Sequence, residues 1–275
     1  MIQDVFGSPV DVNWPQDFSF IRNYGTPYHV DTLPDRGLFC FHIDSPRYGK
    51  LLLRFAGSAL ADGLSPDLAV AQLRDAVSMY QALYPHPALI KLQGHGQAAG
   101  GYAAIFRRPE GVLLHQAGVQ QQLQRQPLLS SLRMIDSAFD FHLYAMGMGY
   151  VPGGFCDGSL CIDFASRRLT ICDIDRYRRI PAVNDVGRMP GSAQFMAPEE
   201  FLQGSPLDEL TAQYAMGALA FFFFGAYSSR ERAAWMAGEA LYRVAARACD
   251  PQREKRFASL AEFVSSWRQA AGETV

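Results

Sequence analysis

The chain has 275 residues, of which 49% are hydrophobic, and its formal net charge is −2. Because the sequence has no excess or cluster of basic residues, it does not resemble a polyanion-binding protein, and we expect no nucleic-acid partner. The longest apolar run, residues 214–224, is too short to span a bilayer, and the five cysteines form no C-x-x-C pair. These features predict a cytoplasmic protein with reduced thiols and no membrane partner.

The first 60 residues predict short β-strands, because apolar side chains alternate in runs that glycine and proline interrupt. The residues that carry this pattern are Phe18, Phe20, Tyr28, Val30, Phe39, Phe41 and Ile43. A further run at Leu51–Phe55 predicts a buried strand.

A helix is predicted next, because Ser65 is a capping residue and Pro66 suits the first helical position. It is expected to end before Pro85. Two further strands are predicted at Leu89–Leu92 and Tyr102–Phe106, followed by a connector over residues 107–111.

Beyond this connector the pattern is mainly helical. An apolar stripe at steps of three and four residues predicts a helix through Leu132, Ile135, Phe139, Leu143 and Met146. The glutamine cluster at residues 120–126 is interpreted as a surface turn between helices. Three further helices are predicted near the end of the chain, at Leu210–Phe224, about Ala233–Cys249, and Leu260–Gln269.

Residues 149–175 interrupt the helical pattern. Two short runs, Leu160–Phe164 and Leu169–Ile174, predict a β-hairpin, and a long irregular segment to about Ala197 follows. The sequence therefore predicts an α+β protein, with a β-rich part over residues 1–108 and a larger helical part over residues 109–275.

Three motifs give this order of elements a specific meaning. Residues 191–199 (GSAQFMAPE) resemble the G-T-x-x-Y-x-A-P-E segment that ends the activation loop of Ser/Thr protein kinases. Residues 171–175 (ICDID) resemble the strand that ends in the kinase D-F-G triplet, and residues 250–257 (DPQREKRF) resemble the D-P-x-x-R signature. Since the three motifs occur in order and at kinase-like separations, the chain resembles the protein kinase-like superfamily. The resemblance implies one two-lobed domain, with a small β-rich N-lobe that contains helix C and a larger helical C-lobe.

The resemblance also implies a structural ion pair. In kinases the A-P-E glutamate pairs with the D-P-x-x-R arginine, and the matching residues are Glu199 and Arg256. This pair supports the fold and is not evidence for activity.

The position of the kinase metal ligand is retained. Asp173 matches the D-F-G aspartate, and Asp175 adds a second carboxylate where glycine is usual. Oxygen ligands of this kind suit Mg²⁺, so the resemblance implies Mg²⁺ bound with ATP if nucleotide binds at all. The alternative is that both are solvated loop acids.

The catalytic loop departs from the kinase pattern. Counting back from Asp163 places Gly154 at the catalytic aspartate, and glycine can neither accept a proton nor orient a hydroxyl. The second metal ligand, usually asparagine, becomes Ser159. Asp157 lies between these two positions as a possible substitute base, although Asp157-Gly158 is also a typical turn dipeptide.

The nucleotide-binding positions are also altered. The resemblance places Arg54 at the strand lysine that holds the phosphates, and its helix-C partner becomes Asp75, which is either paired with Arg54 or simply exposed. The phosphate-covering loop is assigned to residues 23–28 between the first two strands, and it contains one glycine instead of three.

Two further positions bear on the catalytic loop. Ser192 matches the threonine that usually hydrogen-bonds the catalytic aspartate, which is the missing residue. Ala212 replaces the central-helix aspartate that usually braces the loop. Between Asp173 and Arg188 the sequence contains no serine or threonine, and Tyr177 is its one hydroxyl-bearing residue.

We therefore interpret the chain as a pseudokinase of bacterial type, a binding or regulatory module with weak or no ATP binding that acts on a protein partner. The alternatives are an active atypical Ser/Thr kinase that transfers the γ-phosphate of ATP to a protein substrate, and a small-molecule phosphotransferase. The last fits least well, since such enzymes usually keep the catalytic-loop aspartate and lack the A-P-E segment.

Overall fold

The computed structural model describes residues 1–226 and 229–274. The protein is a mixed α+β structure, with a sheet-rich N-terminal region and a helical C-terminal region. It forms two compact units, the first comprising residues 1–84 and 90–109 and the second residues 85–89 and 110–275.

The first unit is built on a five-stranded antiparallel sheet in the order β3-β4-β5-β7-β6. Its elements are β1 (Ile2–Val5), β2 (Ser8–Asp11), β3 (Thr26–Leu33), β4 (Leu38–Ser45), β5 (Gly49–Ala56), α1 (Pro66–Leu83), β6 (Leu92–Ala98) and β7 (Gly101–Arg107). β1 and β2 form a separate hairpin.

Both faces of this sheet are covered at the start of β4, which explains why residues 38–41 are buried on both sides of the strand. On one face the N-terminal segment packs against it, with the Phe18 ring 4.8 Å from Phe39 and 5.2 Å from Phe41. On the other face lies α1, whose Tyr80 ring is 4.7 Å from Phe106 of β7. α1 begins at Pro66 and ends at Leu83, as predicted.

Two strand predictions in this unit were wrong. Phe18 and Phe20 flank and lie in a 3₁₀ turn, Ser19–Asn23, because their rings pack onto the sheet rather than joining it. The strand predicted at Leu89–Leu92 begins only at Leu92. Leu89 is buried for another reason: it belongs to the second unit, where it bridges to Ile171.

The second unit is mainly helical. Its elements are β8 (Val112–Leu113), α2 (Val119–Gln124), α3 (Leu128–Gly147), β9 (Tyr150–Val151), β10 (Leu160–Asp163), β11 (Arg168–Ile171), β12 (Arg178–Arg179), β13 (Ala182–Val183), β14 (Pro206–Leu207), α4 (Glu209–Phe224), α5 (Glu239–Ala248) and α6 (Leu260–Thr274). α4 is buried on all sides from Thr211 to Phe224, so the phenylalanine run that ends it is core. Of the described residues, no helix is both long and apolar enough to cross a membrane.

The glutamine cluster was wrongly predicted as a turn. It forms α2, and its side chains cap the end of α4, where backbone carbonyls lack helical partners. Gln120 donates to the carbonyls of Phe222 and Gly225, and Gln124 donates to Gly225 at 2.6 Å. The helix predicted from about Ala233 begins later, at Glu239.

The predicted hairpin is present as β10 and β11. The segment that follows contains short pieces of regular structure: β12 pairs with β9, and β13 pairs with β14. These pairings attach the segment to the rest of the second unit at residues 178–183.

Candidate functional site

Most predicted site residues of the second unit lie in two neighbouring segments. The first, residues 152–159, connects β9 to β10 and contains Gly154, Asp157 and Ser159. The second, residues 173–200, follows β11 and ends at the A-P-E motif. Hydrogen bonds join the two segments, and the geometry at each position decides what chemistry it could perform.

Gly154 lies directly against the backbone of Pro190 and Gly191. Its φ of +68° is in the left-handed region that favours glycine. A Cβ atom at Gly154 would lie 2.8 Å from the carbonyl carbon of Pro190 and closer still to its oxygen. The position therefore has no room for any side chain, including the aspartate expected of a kinase.

Asp157 is a buried carboxylate with a defined partner. The residue is 8% exposed, and its Oδ1 accepts a hydrogen bond from Ser192 Oγ at 2.8 Å. We had expected Ser192 to have lost its carboxylate partner, and that prediction was wrong. The carboxylate that Ser192 contacts is that of Asp157, three residues after Gly154.

Ser159 is also buried, and its hydroxyl lies 3.2 Å from Cys156 Sγ. Its carbonyl accepts a hydrogen bond from the Cys172 amide at 2.7 Å. This bond fixes residues 152–159 beside the residues that lead into Asp173.

Asp173 and Asp175 are both partly buried. The Asp175 amide donates to Asp173 Oδ1 at 3.0 Å, so one carboxylate oxygen is oriented by the backbone. Over residues 1–226 and 229–274, no group of three or more His, Cys, Asp or Glu side chains is arranged to hold a metal ion. Two carboxylates of this kind fit Mg²⁺ only where water or phosphate oxygens complete its shell.

Tyr177 anchors the loop that follows. It is buried, and its hydroxyl lies 2.7 Å from His142 Nε2 of α3. Because His142 Nδ1 faces the Ala138 carbonyl at 2.7 Å, Nδ1 carries the proton and Nε2 accepts from the tyrosine. Burial lowers the pKa of His142 to about 4 and raises that of Tyr177 well above its usual value, so both stay neutral.

Glu200 braces residues 152–159, a role that sequence reasoning missed. Its Oε1 accepts from the Gly154 amide at 2.9 Å and its Oε2 from the Ala197 amide at 2.7 Å. Burial raises the pKa of this carboxyl to about 7, although both amide bonds act in the opposite direction. The available signal was a second acid directly after Glu199 combined with the apolar Ala212.

The predicted ion pair between Glu199 and Arg256 is present. Arg256 donates from Nη1 to Glu199 Oε1 at 2.8 Å and from Nη2 to Glu199 Oε2 at 3.0 Å, and the arginine side chain is fully buried. Arg253 also bonds Glu199 and reaches Asp208 at 2.7 Å, which extends the pair into a network. Burial raises the pKa of Glu199, but the hydrogen bonds from Arg256, a backbone hydrogen bond, and the positive charges of Arg256 and Arg253 together hold the pKa below its usual value.

The predicted nucleotide positions of the first unit are arranged differently from the expectation. Arg54 is buried, donates to Tyr80 OH at 3.1 Å and stacks over Phe106 at 5.1 Å. Asp75 is exposed, and among the described residues it forms no ion pair with Arg54. Of the two alternatives for Asp75, the structure has the exposed one, because Asp75 lies on the solvent side of α1 while Tyr80 faces the sheet.

The loop assigned to the phosphates was also misplaced. Residues 23–28 precede the first strand of the five-stranded sheet and run into β3, which begins at Thr26. The connection between β3 and β4 is instead a 3₁₀ turn, Pro34–Arg36, that ends at Gly37 with φ +63°.

No protein-family model and no curated protein matches this chain significantly.

Proposed function

We propose that this protein is a pseudokinase: a protein with a kinase-like fold that acts as a binding or regulatory module on a protein partner and transfers no phosphate. Several features support the kinase-like part. Arg54 lies on the third strand of the five-stranded sheet, directly before the one helix of that unit. In the second unit a hairpin precedes a long loop, which ends at the buried Glu199–Arg256 pair.

The proposed loss of phosphoryl transfer depends on one observation, the backbone packing around Gly154. At Gly154, the position that the resemblance assigns to the catalytic aspartate, the backbone of Pro190 and Gly191 fills the space that a side chain would need. Phosphoryl transfer requires a carboxylate that orients the attacking hydroxyl. A loop that has closed over this position differs from an active one in backbone packing as well as in sequence.

Asp157 supports a second candidate, an active atypical Ser/Thr kinase. The hydrogen bond from Ser192 is the contact that the catalytic aspartate of the family makes, and here Asp157 receives it. In that case Asp157 would orient the substrate hydroxyl. Asp173 and Asp175 would hold Mg²⁺, which would neutralise the charge on the phosphates of ATP.

The two candidates differ in what Asp157 does. We would incubate wild-type protein with γ-labelled ATP, Mg²⁺ or Mn²⁺, and a generic protein substrate, beside Asp157→Asn and Ser192→Ala variants. The pseudokinase proposal predicts equal background labelling in all three. Transfer by the wild type that falls at least about a hundredfold in Asp157→Asn, the usual contribution of a positioned base, would establish the atypical kinase instead.

Nucleotide binding is a separate question, which thermal unfolding can answer. A nucleotide present at about 100 times its dissociation constant should stabilise the protein by about 2.7 kcal/mol. The proposal predicts a small or absent shift with ATP and Mg²⁺, and any shift should be lost in Asp173→Ala.

A further inference from the structure

Exposed apolar side chains are concentrated on one part of the second unit. Of the fifteen large hydrophobic residues that are exposed in the described chain, five lie between residues 180 and 202. We call them the 180–202 surface: Ile180, Val183, Val186, Phe201 and Leu202. Leu202 is 65% exposed and Val186 57%, although folding buries such side chains wherever it can. Clustered exposed apolar residues commonly mark an interaction site.

Buried hydrogen bonds hold this surface in a fixed shape. Asn184 is fully buried. Its backbone N–H donates to the Ser205 carbonyl at 2.9 Å, and its side-chain Nδ2 donates to the Glu199 carbonyl at 3.1 Å. β13 pairs with β14 at Val183 and Pro206. These bonds hold the chain around residues 180–186 next to the chain around residues 199–206. A surface that is already ordered loses little conformational entropy on binding.

The charges on residues 178–188 of this surface are mainly positive. Arg178, Arg179 and Arg188 lie on the same segment, and the one aspartate among them, Asp185, is paired with Arg178 at 2.8 Å. Arg179 and Arg188 are exposed, and the Arg188 guanidinium lies 5.8 Å from the Phe201 ring centroid. This local excess of arginine contrasts with the net charge of −2 for the whole chain. Apolar centres with charged rims are typical of protein interfaces, and the sign of the rim selects the partner.

We propose that the 180–202 surface is the docking site of this module, and that its partner is an acidic protein segment with apolar side chains. The apolar residues of the partner would pack on Val186, Phe201 and Leu202, and its carboxylates would pair with Arg179 and Arg188. This proposal rests on the proposed function, for which it names the class of partner.

Peptide binding tests the proposal directly. Fluorescence anisotropy would measure binding of fluorescein-labelled peptide pools made of Asp, Glu, Leu and Phe. In one matched control pool Lys would replace Asp and Glu, and in the other Ser would replace Leu and Phe. The test variants are Leu202→Ser and Arg188→Glu. The control variants are Met236→Ser, at another exposed apolar residue, and Arg133→Glu, at an exposed arginine of α3.

The acidic–apolar pool should bind the wild type and both controls. It should bind each test variant about tenfold more weakly, because Leu202→Ser removes a central apolar contact and Arg188→Glu reverses a charge of the rim. Equal binding of all pools, no binding, or binding unchanged in Leu202→Ser and Arg188→Glu would overturn the proposal. It would also be overturned if phosphatidylserine vesicles bound in its place, or if Leu202→Ser abolished a self-association seen by sedimentation. Since no nucleotide is present, phosphotransfer by the wild type would refute the pseudokinase proposal without altering this result.

Discussion

The packing at Gly154 predicts that even a methyl group there will disrupt the structure of residues 152–159. In Gly154→Ala, the new Cβ must occupy the position 2.8 Å from the Pro190 carbonyl carbon, and the backbone must keep a φ of +68°. An L-residue in the left-handed region costs about 1–2 kcal/mol. Overpacking in a well-packed site costs about a further 1–3 kcal/mol. We therefore expect the free energy of unfolding to fall by about 2–5 kcal/mol.

The same loop provides a matched control in Gly158. A Cβ at Gly158 would lie 3.5 Å from His115 Nδ1, an ordinary contact, and its φ is not in the left-handed region. Gly158→Ala should therefore leave the free energy of unfolding within about 1 kcal/mol of the wild type.

Equilibrium urea unfolding, followed by tryptophan fluorescence, measures both variants under identical conditions. A Gly154→Ala protein within about 1 kcal/mol of the wild type would refute the reasoning, because it would mean that the backbone of Pro190 and Gly191 does not close over this position. An aspartate could then be accommodated there.

Three further predictions concern buried groups. Arg256→Met should lower the free energy of unfolding by about 3–5 kcal/mol in urea titrations, because it leaves the charge of Glu199 buried with weaker partners. A loss below about 1 kcal/mol would contradict the buried ion pair. Burial raises the pKa of Glu200 to about 7 from 4.5, so the wild type should lose stability as the pH rises between these values. Glu200→Gln cannot titrate at this position, so we expect its free energy of unfolding to gain about 3 kcal/mol relative to the wild type over the same pH interval. A difference that does not change with pH would contradict the raised pKa of Glu200. Tyr177→Phe leaves His142 Nε2 buried without its donor and should cost about 1–3 kcal/mol by thermal unfolding, whereas an unchanged midpoint would contradict the buried bond.

Local signals in the sequence were sufficient to predict several helices. Pro66 and the apolar spacing that follows it defined α1, and the run that ends at Phe224 defined α4, because capping chemistry and periodicity act over a few residues. The Glu199–Arg256 pair was also foreseen, through the resemblance of two short motifs.

Other features depend on tertiary contacts that no local pattern records. β6 carries Gly94 and Gly96 within the strand, so its alternation is weak and the strand was placed too early. The cluster that begins at Gln120 is polar, yet it forms a helix because its side chains satisfy the carbonyls at the end of α4.

The candidate site shows the same limit. The resemblance implies an aspartate where the sequence has Gly154, but the packing of the backbone over that position depends on Pro190, which is far away in the chain. The bracing role of Glu200 and the bond between Ser192 and Asp157 likewise join segments that are 46 and 35 residues apart.

The central claim is that the fold remains while phosphotransfer is lost, and labelling with γ-labelled ATP tests it most directly. Wild-type protein and Asp173→Ala would be incubated in parallel with Mg²⁺ or Mn²⁺, and incorporated label would be measured on the chain itself and on an added protein substrate. We predict equal background incorporation in the two proteins. Incorporation by the wild type that disappears in Asp173→Ala would contradict the claim.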